Sequence, residues 1–233
     1  MQQGAWPKTS AACQTLIGNT MNTDDQWPAT KEETDKAFSL VALAASAGGL
    51  AALSLILAAL PQNFPAAVTV VQHLDPRHHS LMAEILGKRS ALRVKQAQEG
   101  DRLAPGTVFI APPDRHLLVN PNDTLSLSQS ELVHFVRPSA DLLFESAAAS
   151  YKKRAIAVVL SGTGLDGSLG IRAIKKMGGW VIAQDKGTAE FFGMPEAAIH
   201  SGQVDFILPI KGIAAALIRL TASKKQEARD DNR

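Results

Sequence analysis

The sequence predicts an α/β fold: a doubly wound, mostly parallel sheet flanked by helices, with an antiparallel hairpin added to it. Three observations predict it. Short apolar runs, rich in β-branched or small residues, recur at residues 40–45, 67–73, 155–161 and 180–184. Stretches of helix-forming composition separate them, which is the alternation of a parallel sheet. Between residues 91 and 137 that rhythm gives way to turns and short alternating runs, the pattern of hairpins.

Taken in order, residues 1–37 mix Gln, Thr, Asn, Asp and Lys with no sustained period and read as a flexible polar leader. Residues 40–60 then give a buried strand, a turn at Ala45-Ser46-Ala47-Gly48-Gly49 and a helix that stops at Pro61. Ser46 falls where the strand ends, beside a helix N-terminus, where α/β folds place ligands and chemistry. A plain N-cap or turn role is the competing reading for this serine.

After Asn63-Phe64-Pro65, residues 67–73 form a second strand. A helix between the two strands makes them parallel, with a right-handed crossover. Both therefore finish at one edge of the sheet, which brings Ser46 and His73 to that edge. His73 also has a structural reading, as a strand-end histidine bonded to a nearby carbonyl. The loop with Arg77, His78 and His79 follows, then a helix near residues 80–90. Adjacent histidines lack the spacing of a helical metal pair.

Pro105-Gly106 and Pro112-Pro113 mark turns around short strands at 108–111, 116–119 and 124–128, all read as additions to the parallel sheet. A helix is expected over 141–151. Strand 155–161 runs into Gly162-Thr163-Gly164-Leu165-Asp166-Gly167 and a helix to about residue 177. Strand 180–184, a loop at Phe192-Gly193-Met194-Pro195, a helix at 196–201, a strand at 206–209 and a helix at 210–221 complete the domain. Residues 222–233 read as a charged tail.

Composition narrows the function. The chain has 233 residues and a net charge of +2, so it carries no strong nucleic-acid signal. Residues 38–221 suffice for one domain with a full core. A single cysteine, Cys13, excludes an intramolecular disulfide, and with no signal peptide in view this points to a reducing cytoplasm. Residues 38–60 carry no charge and are long enough to span a bilayer, but Ser39, Ser46, Ser54, Gly48 and Gly49 interrupt them. Membrane insertion is not expected.

The glycine loop supports two readings. Gly162, Gly164 and Gly167 match the spacing of a dinucleotide fingerprint, and Asp185 ends the next strand as a ribose-binding acid would. Against this, Asp166 stands in the loop where its charge would repel a pyrophosphate. The other reading groups Asp166 with Ser46 and His73 at one sheet edge. Serine needs a base to become a nucleophile, imidazole titrates near neutrality, and a carboxylate fixes its tautomer. A catalytically silent interaction module on the same fold is a third reading.

The chain resembles the catalytic domain of the chemotaxis protein-glutamate methylesterases (CheB). The similar pieces are Ala45-Ser46-Ala47-Gly48-Gly49, Val70-Val71-Gln72-His73, Leu103-Ala104-Pro105-Gly106 with Ile110-Ala111-Pro112, Arg137-Pro138-Ser139-Ala140-Asp141, the Ser161 to Gly167 loop and Phe192-Gly193-Met194-Pro195. The resemblance implies hydrolysis of glutamyl methyl esters on cytoplasmic helices of chemoreceptors, with deamidation of glutamines by some members. It implies Ser46 as nucleophile, His73 as base and Asp166 as acid, and no metal or organic cofactor. Many members have Met where this chain has Thr163, and there the main-chain N–H serves the oxyanion hole, so Thr163 is expected to serve it here. Gly164 and Met194 are expected beside it at the substrate cleft. Ala47 replaces a common Thr. Familiar members carry a receiver domain at the N-terminus, which residues 1–37 are too short to form, so the expectation is either a stand-alone esterase or a catalytic unit controlled by another protein, such as a separate regulatory receiver protein. Arg77, Lys88, Arg89 and Arg93 are candidates for a basic face that meets an acidic receptor helix.

Overall fold

The structure, a computed structural model, describes residues 38–73 and 80–230. The elements are β1 (Ser39–Ala45), α1 (Gly49–Ala59), β2 (Ala66–Gln72), α2 (Met82–Gly87), β3 (Arg93–Gln96), β4 (Thr107–Ile110), β5 (His116–Val119), β6 (Leu125–Ser128) and α3 (Ala140–Tyr151). A 3-10 turn at Lys152–Arg154 leads to β7 (Ala155–Val159), α4 (Gly170–Lys176), β8 (Trp180–Gln184), α5 (Gly193–His200), β9 (Phe206–Leu208) and α6 (Ile210–Asp230). Seven strands pair in the order β3-β4-β2-β1-β7-β8-β9, every neighbour parallel. The strand order reverses direction around β1, which places the two crossover families on opposite faces.

Strand β1 is buried on both sides because its side chains alternate between two cores. Leu40, Ala42 and Ala44 join Leu143 and Phe144 of α3 and Ile171 and Ile174 of α4. Val41, Leu43 and Ala45 join Leu53, Ile56 and Leu57 of α1 and Ile213 and Leu217 of α6. Each fully buried large apolar side chain contributes about 1.5–3 kcal/mol. Residues 38–60 are thus a strand, turn and helix of the core, and no helix of the described residues is long and apolar enough to cross a membrane.

The structure departs from the sequence reading in five places. Strand β4 is not a hairpin addition: it lies inside the parallel sheet between β2 and β3. Strand β3 escapes pattern reading because it has four residues, two of them charged, and no buried one, as an edge strand does. The antiparallel addition is only the two-stranded sheet β5-β6. Gly193, Met194 and Pro195 form the first turn of α5 rather than a loop, and a proline is tolerated there because first-turn N–H groups lack helical partners. Finally, α6 continues through the charged segment to Asp230, over residues that contain no Gly or Pro to stop it. The leader, with Cys13, and the loop of Arg77, His78 and His79 lie outside the described residues.

Candidate active site

The carboxyl ends of β2, β1 and β7 lie side by side, and their ladder bonds run one residue past the strands. The His73 N–H donates to the Ala45 carbonyl (3.1 Å), and the Ser46 N–H donates to the Ser161 carbonyl (3.0 Å). Ser46 therefore emerges between His73 and the start of the glycine loop. It does not cap α1: the N-cap is Gly48, at φ +73° without a side-chain cap bond. The Ser46 hydroxyl makes no hydrogen bond to any described residue. That removes the N-cap reading of the serine.

His73 meets Asp166 directly, with Nε2 2.8 Å from Oδ2. Asp166 is 3% exposed, and both its oxygens are fully engaged. Oδ1 accepts from Ser139 Oγ (2.8 Å) and the Asp141 N–H (3.1 Å), and Oδ2 accepts from the Ala140 N–H (2.6 Å) besides His73. Ser139 is the N-cap of α3. The carboxylate thus sits on the positive end of α3, not on the helix that follows its own loop. Burial alone would raise its pKa. The bonds from His73, Ala140, Ser139 and Asp141 outweigh that and hold it below the ordinary carboxylate value. Asp166 is accordingly ionised at neutral pH and accepts from Nε2–H. The proton-accepting lone pair of His73 is then on Nδ1.

A second aspartate completes the support. Asp141 Oδ1 accepts from the Leu169 and Gly170 N–H groups (3.0 and 2.7 Å), so α3 supplies the cap of α4 while the loop before α4 supplies an acceptor to α3. Asp141 Oδ2 lies 3.2 Å from His134 Nε2, an ion-pair distance without hydrogen-bond geometry. Burial, and then the charge of Asp166, push the Asp141 pKa up despite those N–H bonds. Neither role of the Ser139 segment was read from the sequence, although a serine directly before a helical run is an N-cap signal.

The glycine loop frames the serine from the β7 side. A Cβ on Gly162 would lie 2.3 Å from Met194 Sδ and 2.9 Å from Ser46 Cβ, so only glycine fits. The Gly162 N–H donates to the Phe191 carbonyl and its carbonyl accepts from the Met194 N–H, both at 2.9 Å. Met194 is 1% exposed and packs against Gly162, so its side chain supports the loop beside Ser46 from within the core. Thr163 and Gly164 are exposed, Gly164 at φ +90°, neither is among the residues that line the cleft beside Ser46, and the Thr163 N–H donates to no described residue.

A cleft of about 480 Å³ opens beside Ser46, lined among others by Gly48, Leu50, Gln72, Arg89 and Glu190. Arg89 is the member of the basic group that reaches it; Lys88 and Arg93 are exposed but do not line it. Sequence reading gave no signal for Glu190.

The dinucleotide reading fails at the same loop. Asp141 already takes the N–H groups at the start of α4 that a pyrophosphate would need. The Asp185 carboxylate is turned onto Thr188, whose N–H and hydroxyl donate to it (3.0 and 2.5 Å). Among the described residues no cluster of His, Cys, Asp or Glu has a metal-binding arrangement.

Comparison with known proteins identifies the family and the fold. The family profile described as CheB methylesterase matches residues 41–217. A protein of Leptospira interrogans, named provisionally as a protein-glutamate methylesterase/protein-glutamine glutaminase, is 37% identical over 190 residues, covering 82% of this chain and 98% of that one. The Thermotoga maritima protein-glutamate methylesterase/protein-glutamine glutaminase is 41% identical over 184 residues, and the Myxococcus xanthus protein-glutamate methylesterase FrzG 40% over 182. This chain covers 54% of the length of each and is itself covered to 78%. The crystal structure of the Thermotoga maritima CheB methylesterase catalytic domain superposes with a TM-score of 0.77 at 40% identity, over 79% of this chain and all of that one. On the profile match, the identities and the superposition, this chain belongs to the CheB methylesterase family.

Proposed function

We propose that this chain is a protein-glutamate methylesterase that works by a Ser46-His73-Asp166 triad on the cytoplasmic signalling helices of chemoreceptor-type proteins. The single observation that carries the mechanism is the 2.8 Å bond between His73 Nε2 and a buried, ionised Asp166 at the edge where Ser46 emerges. The names and fold of the relatives support the substrate.

In the first step Ser46 Oγ attacks the glutamyl ester carbonyl while Nδ1 of His73 takes its proton. Asp166 keeps Nε2 protonated and stabilises the imidazolium. The Thr163 N–H binds the oxyanion, a contribution typically of about 3–4 kcal/mol for one such donor. The carbon–oxygen bond to methanol breaks, and His73 returns the proton to it. Water, deprotonated by His73, then hydrolyses the acyl-enzyme to glutamate. A glutamine side chain follows the same route, releasing ammonia. The reaction as written calls on no cofactor. Arg89 and its basic neighbours meet acidic residues of the substrate helix. The lone Cys13 suits work in the cytoplasm.

The test is methanol release from a radiolabelled, methylated receptor cytoplasmic fragment. Wild type is expected to release methanol and Ser46→Ala to fall to background. Equal release by both would refute the assignment.

A further inference from the structure

We infer that Gln72 is a positioning residue that holds the nucleophile and the base in register through one side-chain amide. The inference rests on the triad reading above. Gln72 ends β2, is 6% exposed, and borders the cleft beside Ser46. Its Nε2 donates both to the Ser46 carbonyl (2.7 Å) and to the His73 carbonyl (3.1 Å). Ser46 and His73 lie on different strands, and this amide joins their main chains just where both leave the sheet.

Three further observations argue that the bridge is a built feature. The His73 carbonyl has no other donor among the described residues, whereas the Ser46 carbonyl also accepts from the Gly49 N–H (2.9 Å). Secondly, the Gln72 Oε1 is buried with no hydrogen-bond partner among the described residues. An orphaned amide oxygen is costly, and a purely space-filling position would hold an apolar residue instead. Thirdly, the turn makes room for it: a Cβ on Gly49 would stand 2.1 Å from Oε1. The same Cβ would also stand 2.7 Å from the Ala45 Cβ, so the second glycine of the Ser46 turn clears both Gln72 and β1, while the first is explained by its positive φ.

Gln72 contacts neither the reacting bond nor the transferred proton. It acts by fixing the main chains that carry Ser46 and His73 relative to each other, and misplacement of a catalytic group by about 1 Å costs about 10²-fold in rate. The test compares wild type, Gln72→Met and Gln72→Glu, both close in size and both without the donor. Two readouts are taken at a temperature where all three are folded: labelling of Ser46 by a fluorophosphonate, and kcat and KM for the methyl ester of a short glutamyl peptide.

The expected result is a fall of about 10–10²-fold in labelling rate and kcat for both variants, with KM within about twofold. Labelling of either variant at the wild-type rate would overturn the inference. So would losses that vanish once each variant is assayed at the temperature where circular dichroism shows it as fully folded as wild type, since Gln72 would then be an ordinary core residue. A wild type that the reagent does not modify at Ser46 is a distinct outcome: it removes the triad reading first, and this inference with it.

Discussion

Replacing Asp166 by asparagine asks the most of the site's geometry. The carboxylate accepts four hydrogen bonds, two on each oxygen, and donates none. An asparagine offers one acceptor and one NH2. With its oxygen at the Oδ1 position, the Ser139 and Asp141 bonds survive, but the NH2 faces the Ala140 N–H at 2.6 Å and Nε2 of His73 at 2.8 Å. Nε2 must then accept, so the proton moves to Nδ1, the atom that has to receive the Ser46 proton. With the amide reversed, Nε2–H can still donate, but the NH2 opposes the Asp141 N–H. Each orientation leaves a main-chain donor of α3 unpaired in a buried site, worth about 1–3 kcal/mol of stability. The first orientation also gives the wrong tautomer, which in a serine triad costs about 10⁴-fold in kcat. The assay is kcat for a small glutamyl methyl ester beside a denaturation midpoint. A folded Asp166→Asn enzyme within about tenfold of wild type would refute the tautomer argument.

Three further outcomes follow from the same contacts. Gly162→Ala places a methyl 2.3 Å from Met194 Sδ and 2.9 Å from Ser46 Cβ, so it is expected to cost about 1–3 kcal/mol by overpacking and to slow Ser46 labelling; an active, wild-type-stable variant would contradict the packing. Asp141→Asn keeps an oxygen for the Leu169 and Gly170 N–H groups and removes a buried charge. The native pKa of Asp141 is raised, so its penalty grows as pH rises above the ordinary value of about 4 through the native one. The variant should therefore have the higher Tm at pH 7, with the advantage vanishing near pH 4, and a pH-independent difference would count against this. Arg89→Glu should weaken hydrolysis of a methylated receptor fragment while sparing a small ester; equal loss on both would remove the docking role.

The parallel core was legible because its strands are nearly continuous apolar runs and its helices begin at small-residue turns. Topology then delivered Ser46 and His73 to one edge without any knowledge of distances. Asp166 was legible as a candidate but not in its setting: its partners Ser139, Ala140 and Asp141 stand more than twenty residues away and bind mostly through main-chain N–H groups, which leave no side-chain signature. Strand β3 was hidden by its brevity and its charges, and α6 by a polar composition that resembles a frayed tail. The packing of Met194 was not legible because it is set by one contact, Sδ against the bare Cα of Gly162, which only coordinates display. Glu190 reaches the cleft from the segment between β8 and α5, a juxtaposition no spacing rule anticipates.

The central claim is that Ser46 is the nucleophile and His73 its base. Treating wild type and His73→Ala with a fluorophosphonate, then locating the adduct by peptide mass spectrometry, tests it most directly. One adduct on the peptide that carries Ser46, formed by wild type and lost in His73→Ala, is the result expected. An adduct at another serine, or one at Ser46 that forms equally fast without His73, would contradict it.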